Sequence, residues 1–228
     1  MKIVAIIDCD GIIHRAEWNR TFADAKVKLD GLIEYIIDAV FADEVLIAVK
    51  GEDNFRKVLC TDYKKHRNRS IDLDHRLSAL IQHVIDTRDA HKSDGWEADD
   101  QCHKWHREIL DDKKDLPVIC SGDKDMLTIE GVHYNIKEDR IIHIDANTAD
   151  YNLHKQLLMG DASDNIKGIP KVGPVKAIAA LEGVPFGGRR QIIIDEYKKY
   201  FDSDWEKELL LTGNLIYIRH TVDVGFEI

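Results

Sequence analysis

Four clusters of carboxylates punctuate this chain: Asp8 and Asp10; Glu97, Asp99 and Asp100; Asp123 and Asp125; Asp161 and Asp164. Each falls where a strand or helix is expected to begin or end. Carboxylates repel one another, so a fold that gathers them calls for cations. Oxygen-only donors suit hard ions, Mg²⁺ or Mn²⁺. A polycarboxylate site holding two such ions is suited to phosphodiester hydrolysis, because the pair stabilises the attacking and the leaving oxygen together.

Cations are concentrated elsewhere. Between Arg56 and Arg69 the chain carries Arg56, Lys57, Lys64, Lys65, Arg67 and Arg69 against one acid, Asp62. In an otherwise acidic protein that reversal reads as a phosphate-contacting patch, with Tyr63 able to stack on a base. The plain alternative is a solvated charged face. The stretch Gly160 to Ala177 places Asp161 and Asp164 ahead of Gly168-Ile169-Pro170-Lys171-Val172-Gly173 and a helix start at Pro174. A tight glycine-bounded turn there would present backbone N–H groups at a helix N-terminus, an anion site suited to a DNA phosphate. Lys171 and Lys176 add charge beside it. Its plain alternative is a helix–turn–helix packing element. Asp8-Cys9-Asp10-Gly11 and Ser121-Gly122-Asp123 also read as ordinary turns, and Glu97 to Asp100 as acids complementing a helix dipole.

The elements that must position these groups alternate. Ile3–Ile7, Glu44–Val49 and Leu116–Cys120 are apolar, strand-length runs, as in strands buried on both faces. Leu29–Phe41, Leu73–Ile85 and Glu97–Leu110 have helical spacing, and Val132–Tyr134 with Ile141–Ile144 read as short strands around a charged turn. Such alternation predicts an α/β fold with a central, mostly parallel sheet flanked by helices. Ligands then sit beyond the carboxyl ends of the strands, where Asp8 and Asp123 fall. After Tyr151 the pattern turns helical, which predicts a core over 1–150 and a helical, DNA-binding portion over 151–228.

At 228 residues, 44% of them hydrophobic, the chain can bury a substantial core. A formal net charge of −10 excludes a generally basic nucleic-acid-coating surface, although bound cations would reverse the local sign at a carboxylate site. Four cysteines without CxxC spacing fit a reducing, cytoplasmic setting, and neither a signal peptide nor a membrane span is expected. Cys102 and His106 lie four apart on one helix, but no second ligand pair has zinc spacing, so they read as structural.

In combination these blocks resemble the 5′-nuclease (flap endonuclease) family, with its PIN-like fold, and most closely its short phage 5′→3′ exonucleases. Ile6-Ile7-Asp8-Cys9-Asp10 is similar to the family's first metal-binding strand. Tyr63-Lys64-Lys65-His66-Arg67 is similar to its Tyr-Lys-x-x-Arg block, which puts Lys64 and Arg67 at the scissile phosphate. Glu97-Ala98-Asp99-Asp100 resembles its Glu-x-Asp-Asp helix start and Asp123-Lys124-Asp125 its Asp-x-Asp turn. Gly160 to Ala177 resembles its helix–three-turn–helix, which grips duplex DNA and often a K⁺ ion.

That resemblance implies a 5′→3′ exonuclease or flap endonuclease acting in replication or repair on DNA with a 5′ end or flap, or on RNA–DNA hybrids. It implies two Mg²⁺ held by Asp8, Glu97, Asp99, Asp100, Asp123, Asp125, Asp161 and Asp164. DNA contacts would come from Tyr63, Lys64, Lys65, Arg67, Gly168, Ile169, Lys171, Gly173 and Lys176. Two departures stand out. The family has an Asp after the second strand, where this chain has Lys50-Gly51-Glu52-Asp53, so Glu52 or Asp53 would have to substitute. The segment between Arg67 and Glu97 has room for one helix, so the family's arch is short or open. Two other functions compete. A haloacid-dehalogenase-type phosphatase would use Asp8 as a covalent nucleophile, and a DNA-binding member of the nuclease family would have lost most of its activity.

Overall fold

A computed structural model describes every residue except Asn19, Asn68, Arg69 and Val222, so Arg69 of the basic run lies outside the described residues. The elements follow in the order β1 Ile3–Asp8, α1 Asp10–Glu17, α2 Phe22–Val40, β2 Glu44–Asn54, α3 Phe55–Leu59, α4 Ile71–Arg88, β3 His91–Gly95, α5 Ala98–Asp112 and β4 Leu116–Ser121. A 3₁₀ turn at Lys124–Thr128 leads to β5 Gly131–Asn135, β6 Arg140–Ile144, α6 Ala146–Met159, β7 Gly160–Asp161, β8 Ile166–Lys167, α7 Pro174–Leu181, α8 Arg189–Phe201 and α9 Trp205–Ile216.

The chain forms two compact units, neither of them continuous in sequence. The first takes 1–54, 68–126 and 131–144; the second takes 55–67, 127–130 and 145–228. The second unit therefore begins six residues earlier than the expected cut and draws in two upstream segments, one of which carries the basic run.

In the first unit six strands form one sheet in the order β3-β2-β1-β4-β5-β6, parallel throughout except for the antiparallel β5–β6 pair. Val4, Ala5, Ile6 and Ile7 are all buried, as a strand covered on both faces requires. One face packs on α1, α2 and α4 through Ala5, Ile7, Ile47, Val49, Val118 and Cys120. The opposite face, covered by α5, carries the alternate positions. Thr21 starts α2 by accepting the Asp24 N–H at 3.2 Å, and Ser70 starts α4 by accepting that of Leu73 at 3.2 Å. The segment expected to arch is mostly α4, and its Leu77, Leu80 and Val84 are buried in the core.

The second unit is helical around its own core of Leu157, Leu158, Ile193, Tyr197, Leu209 and Leu215, with neighbours. Between α6 and α7 the two-stranded β7–β8 hairpin brings backbones together so closely that a Cβ on Gly160 would lie 2.3 Å from the Gly168 nitrogen. Gly160 also has φ +69°, so glycine is required there on both counts.

Candidate metal and phosphate sites

Asp8 is the last residue of β1, beside β4 in the sheet, and Asp123 follows β4 by two residues. Both acids therefore leave the same, carboxyl-terminal edge of adjacent parallel strands, where sheets of this kind bind ligands. Alternation places Ile6 and Asp8 of β1, Ile119 and Ser121 of β4, and Leu46, Ala48 and Lys50 of β2 on the α5 face. Ser121 links the two acids: its Oγ donates to Asp8 Oδ2 at 2.8 Å and accepts the Asp123 N–H at 3.0 Å. Asp8 Oδ1 also accepts the Asp10 N–H at 3.4 Å, and Asp10 Oδ1 accepts the Lys50 N–H at 3.0 Å. Asp125 donates its N–H to Asp123 Oδ1 at 3.0 Å, while its carboxylate meets Lys124 Nζ at 2.7 Å.

Burial pushes the Asp8 carboxyl up to about 7, helped by the charges of Asp10 and Asp123 and opposed by the Ser121 hydrogen bond. The first turn of α5 stands over the same face. Asp100, fully buried, accepts the Glu97 N–H at 3.1 Å, and Asp99 accepts the Asp100 N–H at 2.7 Å. These acids start the helix, as their plain reading expected. The Cys102 thiol is held well above its ordinary range by burial and by the charges of Asp8 and Asp99, and stays a thiol.

The donors fit a hard cation. They are all oxygens, and the burial and neighbouring negative charge that raise Asp8 are what a divalent ion would offset. Among the described residues no group of three or more His, Cys, Asp or Glu side chains is placed to hold a metal ion.

The second unit contains a different constellation. Asp164 accepts from Tyr63 Oη at 3.1 Å, pairs with Lys64 Nζ at 3.3 Å and pairs with the Arg67 guanidinium. Its carbonyl accepts the Lys64 N–H at 2.9 Å, which fixes Lys64 in a left-handed conformation with φ +54°. Asp161 closes a turn by accepting both the N–H and the Oγ–H of Ser163, at 2.7 and 2.6 Å. The acids expected as ligands here are therefore already hydrogen-bonded, Asp164 to the very cations expected at the phosphate. Lys65 pairs with Asp62 at 2.9 Å in full exposure.

Three expectations need correction. Arg56, assigned to the phosphate-contacting run, is 1% exposed; its Nε and Nη2 donate to the carbonyls of Leu215 and Tyr217, each at 3.0 Å. Tyr63 is 4% exposed within the second core, so its ring has no face for a base. The hairpin expected at Gly168–Gly173 is instead β7–β8, and the Ile169 and Val172 N–H groups are bonded to the carbonyls of Leu158 and Ile169. Lys171 keeps a left-handed turn conformation, φ +64°, and both it and Lys176 are exposed. Glu52 does not supply the acid missing after β2: it pairs at 2.6 Å with Lys92 on β3, away from β1.

Sequence reading missed Ser121 as a link and Lys50 as a neighbour of Asp10; strand parity was the signal for both. It also missed Trp18, 72% exposed, which with His14, Arg15 and Arg20 lines a cleft of about 430 Å³ at the end of α1.

No protein-family profile matches the chain. Over 166 residues it is 27% identical to DNA polymerase I of Streptococcus pneumoniae, a match covering 66% of this chain and 19% of that protein. The chain thus spans about a fifth of the length of the curated relatives it matches. Its fold matches the bacteriophage T5 flap endonuclease, solved with DNA and metal ions, at TM-score 0.70 and 17% identity over 95% of this chain and 89% of that one. The catalytic core of Rad2 in complex with DNA substrate matches at TM-score 0.52 and 15% identity, over 91% and 69% of the two chains. Identities this low establish the fold: a mostly parallel sheet flanked by helices, shared with T5 5′-exonuclease.

Proposed function

We propose that the protein is a divalent-metal-dependent, structure-specific 5′-nuclease that hydrolyses phosphodiesters in DNA at a 5′ end or flap. The observation that carries this is the edge joining Asp8, Ser121 and Asp123, where the buried Asp8 carboxyl meets the negative charges of Asp10 and Asp123 at adjacent strand ends. The shared fold and the DNA and metal ions bound by the T5 enzyme support it.

Asp8, Glu97, Asp99, Asp100, Asp123 and Asp125 would hold the ions, directly or through water. Bound there, two divalent ions would supply an activated water and shield the charge building on the attacking and leaving oxygens. Ser121 keeps the Asp8 carboxylate aimed by donating to one of its oxygens. Lys64 and Arg67 meet the phosphoryl oxygens and neutralise their growing charge. Asp164 positions that pair, and the Lys64 backbone bond sets its direction. Lys171 and Lys176 contact duplex phosphates, which makes binding salt-dependent and largely independent of sequence. With Tyr63 buried, the exposed ring of Trp18 offers a face for stacking on a base. The same phosphate chemistry admits RNA in RNA–DNA hybrids, as in primer removal during replication. Among the described residues no helix is long and apolar enough to cross a membrane.

The test sets 5′-flap DNA against a small phosphate ester, each with Mg²⁺ and with chelator. Flap cutting that requires Mg²⁺ is expected. Ester hydrolysis without DNA cutting would identify the phosphatase that Asp8-Cys9-Asp10-Gly11 resembles. Flap binding with neither reaction would identify a member that binds without cutting.

A further inference from the structure

The turn between β5 and β6 lays a lysine across the carboxylate edge. β5 runs beside β4 with Asn135 opposite Ser121, and the Ile136 N–H donates to the Ser121 carbonyl at 3.2 Å. The turn is therefore anchored to the residue whose Oγ joins Asp8 and Asp123. Asn135 Oδ1 accepts the N–H groups of Lys137 and Glu138, at 3.0 and 3.2 Å. Asp139 accepts from Tyr35 Oη at 2.7 Å, which ties the turn to α2. Held in this way, the Lys137 side chain lies along Gly122, between Ser121 and Asp123. A Cβ on Gly122 would be 3.2 Å from Lys137 Cγ and 3.3 Å from its Cε. A C–N single bond adds about 1.5 Å, so the ammonium stands within about 5 Å of that point. Lys137 is exposed, and among the described residues no carboxylate pairs with it. Lys124, which follows Asp123, is by contrast paired with Asp125 at 2.7 Å.

We infer that Lys137 is a substrate-contacting residue, its ammonium binding a non-bridging oxygen of a DNA backbone phosphate next to the bond that is cut. The inference rests on the nuclease function proposed above. Packing the methylenes on a glycine backbone keeps them from water while the charged end stays solvated. A stem already seated in this way has less freedom to lose when a phosphate arrives. An acidic edge repels the DNA it must cut, and a cation on its rim offsets that repulsion where the strand approaches. Gly122 contributes by what it lacks, because a side chain there would crowd the Lys137 stem.

The test is kcat/KM for cleavage of 5′-flap DNA by the full chain in Mg²⁺, over a series of KCl concentrations. It compares the wild type with Lys137→Ala and Lys137→Arg, on plain DNA and on DNA with one uncharged methylphosphonate at each phosphate flanking the cut in turn. Lys137→Ala should lower kcat/KM roughly fivefold at low salt and reduce the salt slope by about 1, and Lys137→Arg should restore most of both. One methylphosphonate position should weaken cutting by the wild type and leave Lys137→Ala unaffected, which marks the phosphate that the ammonium touches. Methylphosphonates that lower both proteins equally at every position would overturn the contact, since Lys137 would then act only through the general field. Equal kcat/KM and salt slope for the wild type and Lys137→Ala would overturn it as well, and leave the nuclease standing. A wild type that cuts no flap DNA would overturn the nuclease function itself.

Discussion

The two units handle ionised groups in opposite ways. At the strand ends of the first, Asp8 is crowded by Asp10 and Asp123, and burial with like charge raises its carboxyl to about 7. In the second, acid and base already meet: Asp164 holds Tyr63, Lys64 and Arg67, and buried Arg56 is satisfied by carbonyl oxygens. A strained cluster is built to be completed by something from outside, whereas a balanced one is built to hold a shape. That contrast separates groups that would bind ions from groups that would position cations against a phosphate.

The largest stability effect is expected where a charge is fully buried. Arg56→Ala should cost about 3 kcal/mol in urea unfolding, since the Leu215 and Tyr217 carbonyls lose their donors. A phosphate-contacting Arg56 would instead show unchanged stability and weaker DNA binding. Asp164→Asn should lower flap cleavage roughly ten- to hundredfold by releasing Lys64 and Arg67 from their shared anchor. Its effect on kcat should exceed that on Mn²⁺ affinity, which separates positioning from ligation.

His106 supplies the acid-sensitive counterpart in the first unit. Burial, then the neighbouring His103, His133 and Arg107, pushes its imidazole down to about 3, and neither ring nitrogen has a hydrogen-bond partner. Between pH 6.5 and 3 the unfolded chain binds this proton and the folded chain does not, so stability falls as pH drops through that window. His106→Leu should flatten the loss by roughly 2 kcal/mol between pH 6.5 and 4.5, read from denaturant midpoints. The smallest effect is expected at the surface. Lys171→Glu with Lys176→Glu should weaken duplex binding roughly tenfold and reduce the salt slope by about 2, without changing Mn²⁺ uptake.

Much of this was legible because the buried strands are continuous apolar runs and the acids sit at their ends. β3 was not legible: His-Lys-Ser-Asp-Gly is a polar edge strand whose pairing with β2 is its main reason to extend. α1 was hidden by turn-forming residues at Asp8 to Gly11, although Ile12, Ile13 and Ala16 are buried on it. Composition misassigned Arg56 because a run of cations does not say which one turns inward. The pairing of Asp164 with Lys64 and Arg67 spans nearly a hundred residues of sequence, beyond any local pattern.

The most direct test of the central claim is Asp123→Asn, with cleavage of 5′-flap DNA in Mg²⁺ and DNA binding by fluorescence anisotropy measured on one preparation. The strand-end carboxylates predict cleavage lowered roughly a thousandfold or more, with binding within about twofold of wild type. Retained cleavage would contradict a ligand role for Asp123 and, with it, the assignment of this edge as the site of chemistry.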